Sequence, residues 1–413
     1  MSRPLKFNVQ PSLRAAIAAL AILFLLTAAA LGAQAQTFSV IHYFSGGVDG
    51  LAPAGQLTMD KAGNLYGTTS VGGTSHLGNV FKMSRRSSGW TITPLYSFSG
   101  GSDGSNPEYG VVFGPDGSLY GSTFNTVFNL KPGPTRSPTV FSPWNLTTLY
   151  QFQGGSDGEE PVGDVIFDPQ GNIYGATFLG GQGCYEGCGT IYELTPANGG
   201  WKKSTVYFFQ GLNDGFGPTG VILDSAGNLW GTGEMGGANG GGTIFKLAPS
   251  GGGWTENTLY SFGYGSSGFL PQAGLISDVS GNFYGGTGDG PGSAGTIFEL
   301  SPSNGGWTYT VLYQIPSRYD GGPAAPLVMD AAGNLYGTID GYCLDCPGAV
   351  FKLTLGSSGW TFTSLHDFTG GSDGGHPISN VVIDANGNLY GTASLGGTGC
   401  NGEGCGVVWE ITP

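Results

Sequence analysis

Charge is scarce in this sequence. Asp, Glu, Lys and Arg make up only 10% of 413 residues, with 14 basic side chains against 28 acidic ones and four histidines. A formal charge of -14 with no cluster of Lys or Arg excludes nucleic acid and anionic membrane surfaces as partners, and leaves cations, neutral glycans and basic partners open. Catalytic signatures are equally thin. HExxH, a nucleophile elbow and a phosphate-binding glycine loop are all missing, and a chance GxGxxG among 80 glycines carries no weight. Beyond residue 32 no apolar run is long enough to cross a bilayer as a helix. Helix formers give way to turn formers, which argues against a helical fold.

What the chain does contain is glycine and apolar bulk. Hydrophobic residues reach 39%, including 24 Phe, 19 Tyr and 8 Trp. That is enough for a substantial core, so the glycines mark turns rather than disorder and the class is all-β. At the N-terminus Arg3, Lys6 and Arg14 precede an apolar run from Ala15 to Gly32 and then Ala33-Gln34-Ala35, the small-x-small form of a signal-peptidase site. Residues 1–35 are expected to be an export signal, cleaved rather than retained as an anchor, which would take the formal charge to about -17. An extracellular or periplasmic, monomeric protein is the expectation.

One phrase recurs seven times. GNLYGTT at 63 returns as GSLYGST at 117, GNIYGAT at 171, GNLWGTG at 227, GNFYGGT at 281, GNLYGTI at 333 and GNLYGTA at 387, spaced 54, 54, 56, 54, 52 and 54 residues apart. A fixed period of this size marks a repeat architecture. Each period holds four strand-like segments, as in VIFD at 165, the phrase at 171, TIYELT at 190 and WKKSTVYFF at 201. The first two form a hairpin over an Asp-x-x-Gly turn. Seven units of four strands predict a seven-bladed β-propeller spanning residues 36–413. The recurring Tyr should fill the same contact between blades, and its Gly should lie beneath a close neighbour. The last unit stops after its third strand, while TFSVIHYFSGGVDG at 37 matches a fourth strand. The N-terminal strand is therefore expected to complete the last blade and close the ring, removing exposed sheet edges.

The LYSFSGGSDG, PDGSLYG, GTIFKLT and GGW segments resemble the tandem repeats of the GloVer family of exported bacterial proteins, across essentially all of residues 37–413. The resemblance implies export and repeat architecture, and no general biochemical activity. Family members often carry a C-terminal surface-sorting segment. This sequence ends at WEITP, which favours release over surface anchoring.

In such a propeller, the loops between strands two and three share one face with the loops between blades. Asp49, Asp103, Asp157, Asp214, Asp320 and Asp373 in the inter-blade loops could form a ring of carboxylates for a cation such as calcium, or each could cap its own turn. All six cysteines lie in the strand-two to strand-three loops, as the pairs Cys184 and Cys188, Cys343 and Cys346, and Cys400 and Cys405. In an exported chain they are expected to form three local disulfides, with zinc or redox sites as alternatives. The repeat breaks at the channel mouth, where Gln56, Gly110, Asp164, Gly220, Gly274, Pro326 and Asn380 precede the first strands. Gln56, Glu108, Glu160, Asp164, His376 and Asn380 are the candidate ligand-binding residues there. On the opposite face, Trp90, Trp144, Trp201, Trp254, Trp307 and Trp360 could stack on sugars or shield blade edges. The expected function is an extracellular binding module for a glycan or protein ligand. The alternatives are a lyase or hydrolase using Asp164, Glu108, Glu160 or His376, and a structural surface protein.

Overall fold

The computed structural model describes residues 36–133, 144–265, 267–292, 294–341, 348–400 and 404–413. These form seven four-stranded antiparallel sheets. Six are built from consecutive strands, as in blade 3: Glu159–Phe167, Ile173–Leu179, Thr190–Ala197 and Gly200–Phe208, paired in that order. The seventh takes Val382–Ile383, Leu389–Ala393 and Val407–Thr412 from the C-terminus and Thr37–Tyr43 from the N-terminus. Thr37 pairs with Thr412 and Tyr43 with Val407, so the last blade is completed by the first strand and the ring closes as the sequence predicts. The expected signal segment, residues 1–35, lies outside the described residues. Among those residues no helix is long and apolar enough to cross a membrane.

The seven-fold phrase has a local cause. In six blades the Asp that ends the first strand accepts hydrogen bonds across the turn. Asp330 takes them from Ala332 N, Asn334 N, Asn334 Nδ2 and the Tyr336 hydroxyl, at 2.7–3.0 Å. These donors hold the carboxyl below the usual range despite an opposing desolvation effect. Blade 2 has Gly114 at this position, and Asp116 substitutes by accepting from Ser118 N and Oγ. The recurring aromatic is buried in every blade, from Tyr66 to Tyr390, and it packs forward on the next blade: Tyr66 meets Phe113, and Tyr120 meets Phe167. The following glycine lies under the third-strand aromatic. A Cβ on Gly391 would overlap the Trp409 indole, and one on Gly285 would meet Phe298. The repeat thus encodes the turn, the inter-blade contact and the close approach within the sheet.

Candidate functional site

The innermost strands surround a central cavity of about 850 Å³, lined from all seven blades. Five of these strands are only two or three residues long. Those of blades 3 and 4, Glu159–Phe167 and Phe216–Leu223, run eight or nine residues and carry irregularities, between Val162 and Ile166 and between Pro218 and Val221. Bulges re-aim side chains, and here Gly163 at φ 68° turns the chain so that Asp164 joins the cavity wall.

Asp164 is the most perturbed carboxyl of the wall. Its Oδ1 is shut off from solvent and has no hydrogen-bond partner. The carboxyl accepts from the Gly110 backbone N–H, but burial dominates and pushes its pKa up to about 6. Gln56, Glu108 and Asn380 line the same cavity, so four of the six predicted residues come together. Asn380 is partly occupied: its Oδ1 accepts from Leu57 N at 3.0 Å and ties the last blade to the first.

Glu160 and His376 fall outside the wall. Both sit at a repeated position that the sequence reading treated as irregular. Ala52, Asn106, Glu160, Leu270 and His376 each precede a proline and each hold φ between 51° and 56°. Their side chains vary over a shared backbone conformation. His376 Nδ1 binds Asp340 Oδ1 at 2.9 Å, a contact that raises its pKa against the opposing effect of burial. The Glu160 carboxyl is pushed up by burial first, then by Glu159, Glu108 and Glu186.

Tyr109, Glu234 and Gln272 are among the polar wall residues that escaped the sequence reading. Gln272 Nε2 donates to Glu234 Oε1 at 2.9 Å. The partly buried Tyr109 hydroxyl has its pKa raised by desolvation first, then by the negative charges of Glu108, Glu234, Glu160 and Asp164. A signal existed for two of them. Tyr109 stands where other blades have Gly, Thr, Ala or Ser, and Glu234, directly after the recurring seven-residue phrase, stands where others have Ser, Phe, Gly or Asp.

The inter-blade aspartates do not converge. Asp103 accepts from Tyr96 Oη, Ser99 N, Ser99 Oγ and Gly101 N, and Asp157 from Tyr150 Oη, Gln153 N and Lys203 Nζ. Asp214 accepts from Tyr207 Oη and Gln210 N. Asp49 and Asp373 pair with His42 and His366 and with Ser45 and Thr369. Asp320 ends a short 3₁₀ turn, Ser317–Tyr319. Five of the six carboxylates thus cap their own loops, and among the described residues no three His, Cys, Asp or Glu side chains are grouped to hold a metal.

Two loops on this face are stapled, by Cys184–Cys188 and Cys400–Cys405. Each bridge packs on the first glycine of the adjoining inter-blade loop, Gly211 and Gly46 respectively. Cys343 and Cys346 lie outside the described residues. The tryptophans of the opposite face serve inter-blade contacts: Trp90 packs on Tyr390, Trp254 on Tyr174 and Trp307 on Trp230.

Fold and repeat together define a seven-bladed β-propeller with a single modified channel. The chain belongs to the Gloeobacter/Verrucomicrobia repeat family, whose sequence pattern matches residues 125–342 and 290–413. No curated protein matches it. Among solved structures it is similar to the extracellular domain of BT3049, named as a hybrid two component system, from B. thetaiotaomicron. Identity is 15% and the TM-score 0.51, over 91% of this chain and 41% of that one, so this chain spans about two fifths of that length. It is also similar to a Trichoderma reesei carbohydrate-active enzyme of family AA12, at 13% identity and a TM-score of 0.42, over 92% of this chain and 96% of that one. Identities this low speak to fold alone.

Proposed function

We propose that this chain is an exported binding protein whose central channel holds a small organic ligand or the end of a glycan. The observation that carries the reading is Asp164. A carboxyl with a buried, unpartnered oxygen is costly to retain, and this one stands at a strand irregularity on the wall of a cavity sized for a small molecule. The corresponding positions in three other blades are glycine, so those blades complete the frame without a carboxyl there. Export is supported by the leader-like N-terminus and by the two disulfides, which persist in oxidising compartments.

The catalytic alternative keeps one specific support. A carboxyl with a pKa near 6 can serve as a general acid or base around neutral pH, and Glu108 lines the same cavity. One experiment separates the two readings. Residues 36–413 are incubated with a panel of oligosaccharides, amino sugars and small amines, while melting temperature and release of new reducing or unsaturated ends are followed. Ligand-induced stabilisation without product, lost in Asp164→Ala, is expected. Product formation that depends on Asp164 would establish the enzyme instead, and stabilisation indifferent to Asp164 would move the site elsewhere.

A further inference from the structure

Histidine marks the seam of the ring. In five blades the fourth strand carries a tyrosine at one repeated place: Tyr96, Tyr150, Tyr207, Tyr260 and Tyr313. The two blades whose fourth strands are Thr37–Tyr43 and Gly359–Asp367 carry His42 and His366 there instead. These strands meet where the ring closes, because Phe38 stacks on the His366 ring with centroids 3.6 Å apart and planes 6° apart. Phe38 and Val40 pack into one core with Phe368 and Trp409, and Ile41 packs into the next core with Phe44 and Phe81. Two of the chain's four histidines thus sit on or against the one strand that closes the ring.

Both imidazoles take over a tyrosine's contacts. His42 Nε2 pairs with Asp49 Oδ2 at 3.2 Å and His366 Nε2 with Asp373 Oδ2 at 3.1 Å, where the Tyr96 hydroxyl donates to Asp103 in blade 1. Each ring stands edge-on to a Phe two residues later, Phe44 or Phe368, as Tyr96 does to Phe98. Their side chains are only 19% and 20% exposed. A tyrosine in this place stays neutral across the physiological range, and a histidine does not. We propose that His42 and His366 form an acid-sensitive latch: protonating the two rings loosens the Thr37–Tyr43 strand and opens the ring at its seam.

The surrounding charges decide the sign. His42 faces Asp49, and the neighbouring strand of blade 1, Gly89–Ser97, brings no charged side chain. On the strand paired with the closing one, Glu410 lies opposite Ser39 and is taken by Tyr390 Oη and Arg85. His366 faces Asp373 and Asp367, and Asp367 accepts from Tyr319 Oη and Ser364 Oγ with Arg318 beside it. The strand paired with His366 places Val350 opposite, and its Lys352 lies over the Tyr336 ring. The carboxylates favour the imidazolium, but burial is the larger effect and holds both histidines below the ordinary 6.5. The unfolded chain therefore takes up these protons first. Stability contributed by the neutral rings is present above pH 6.5 and is lost as pH falls toward their lowered folded values. An open seam leaves the Val407–Thr412 edge free to pair with another strand.

The test is hydrogen exchange on residues 36–413 at pH 7 and pH 5, with rates corrected for the intrinsic pH dependence of exchange. Protection of the Thr37–Tyr43 amides should fall at least about tenfold on acidification. The Gly200–Phe208 strand, which carries Tyr207 at the same place, should keep its protection. His42→Tyr with His366→Tyr, restoring the residue of the other five blades, should abolish the fall. His366→Tyr alone leaves the closing strand intact and should reduce it, so the test survives if the double variant does not fold. Comparing wild type and variant at each pH cancels the other groups that titrate in this range, Asp164 and His376 among them. An undiminished fall in these variants, a fall shared by Gly200–Phe208, or protection that rises toward acid would overturn the latch.

Discussion

Replacing Asp164 by Asn should stabilise the protein at neutral pH. The carboxyl titrates near 6 in the fold against 3.8 for an ordinary Asp, because burial disfavours its charged form. Between those values the folded state binds more protons than the unfolded one, so stability falls as pH rises from about 4 to about 6 and stays reduced above. A difference of roughly two pKa units corresponds to about 3 kcal/mol. Asn keeps an acceptor for the Gly110 N–H but places an amide N–H₂ where Oδ1 has no partner, returning roughly 1 kcal/mol. A net gain of about 2 kcal/mol spread over roughly 380 residues raises the melting temperature by about 2–3 °C. The assay is paired thermal unfolding of wild type and Asp164→Asn, residues 36–413, at a series of pH values from 4 to 8. The turn carboxylates Asp60, Asp224, Asp278, Asp330 and Asp384, whose pKa values are lowered, titrate in both proteins and cancel in the difference. The gain should be present at pH 7 and vanish toward pH 4. A variant that melts below wild type at pH 7, or a gain that is the same at both ends, would refute the argument that a buried charge is held there at a cost.

Other consequences concern the frame. Deleting residues 36–45 should leave the Val407–Thr412 edge unpaired and produce misfolded or oligomeric material on light scattering; a monomer with an unchanged melting temperature would contradict ring closure. Asp330→Ala removes the acceptor for four donors in one turn and should cost on the order of 2 kcal/mol by denaturant titration. Gly391→Ala drives a methyl into the Trp409 indole and should cost about 1–3 kcal/mol or more, with loss of near-ultraviolet signal from that ring. Reduction of Cys184–Cys188 and Cys400–Cys405 should lower stability by at most about 2 kcal/mol each, because both close very short loops, and the blades should stay folded by far-ultraviolet dichroism.

The frame was legible because its causes repeat. Asp60, Tyr66 and Gly67 recur at one spacing, and each answers a need that every blade has: a turn acceptor, an inter-blade filler and room beneath an aromatic ring. Ring closure was legible for the same reason, since the N-terminal strand spells a missing fourth strand. The site was legible only where it interrupts the pattern beside a first strand, as at Asp164, Gln56 and Asn380. Glu160 and His376 misled because their variability sits on a fixed positive-φ backbone position before proline, which side-chain identity does not reveal. Glu234 was missed because it reaches the channel from the end of a second strand, and only the ring geometry brings that strand end beside Gln272. The aspartates do not converge because Asp103 and four counterparts each cap their own loop, paired with a Tyr or His seven residues earlier in each of five blades.

The most direct test of the whole account is a crystal structure of residues 36–413 grown with the tightest ligand from the binding panel. The account places that ligand in the central channel, beside Asp164 and against the walls of blades 3 to 6. A ligand seated instead on the Cys184–Cys188 loop or along the Trp-bearing face, with the channel holding only solvent, would contradict it.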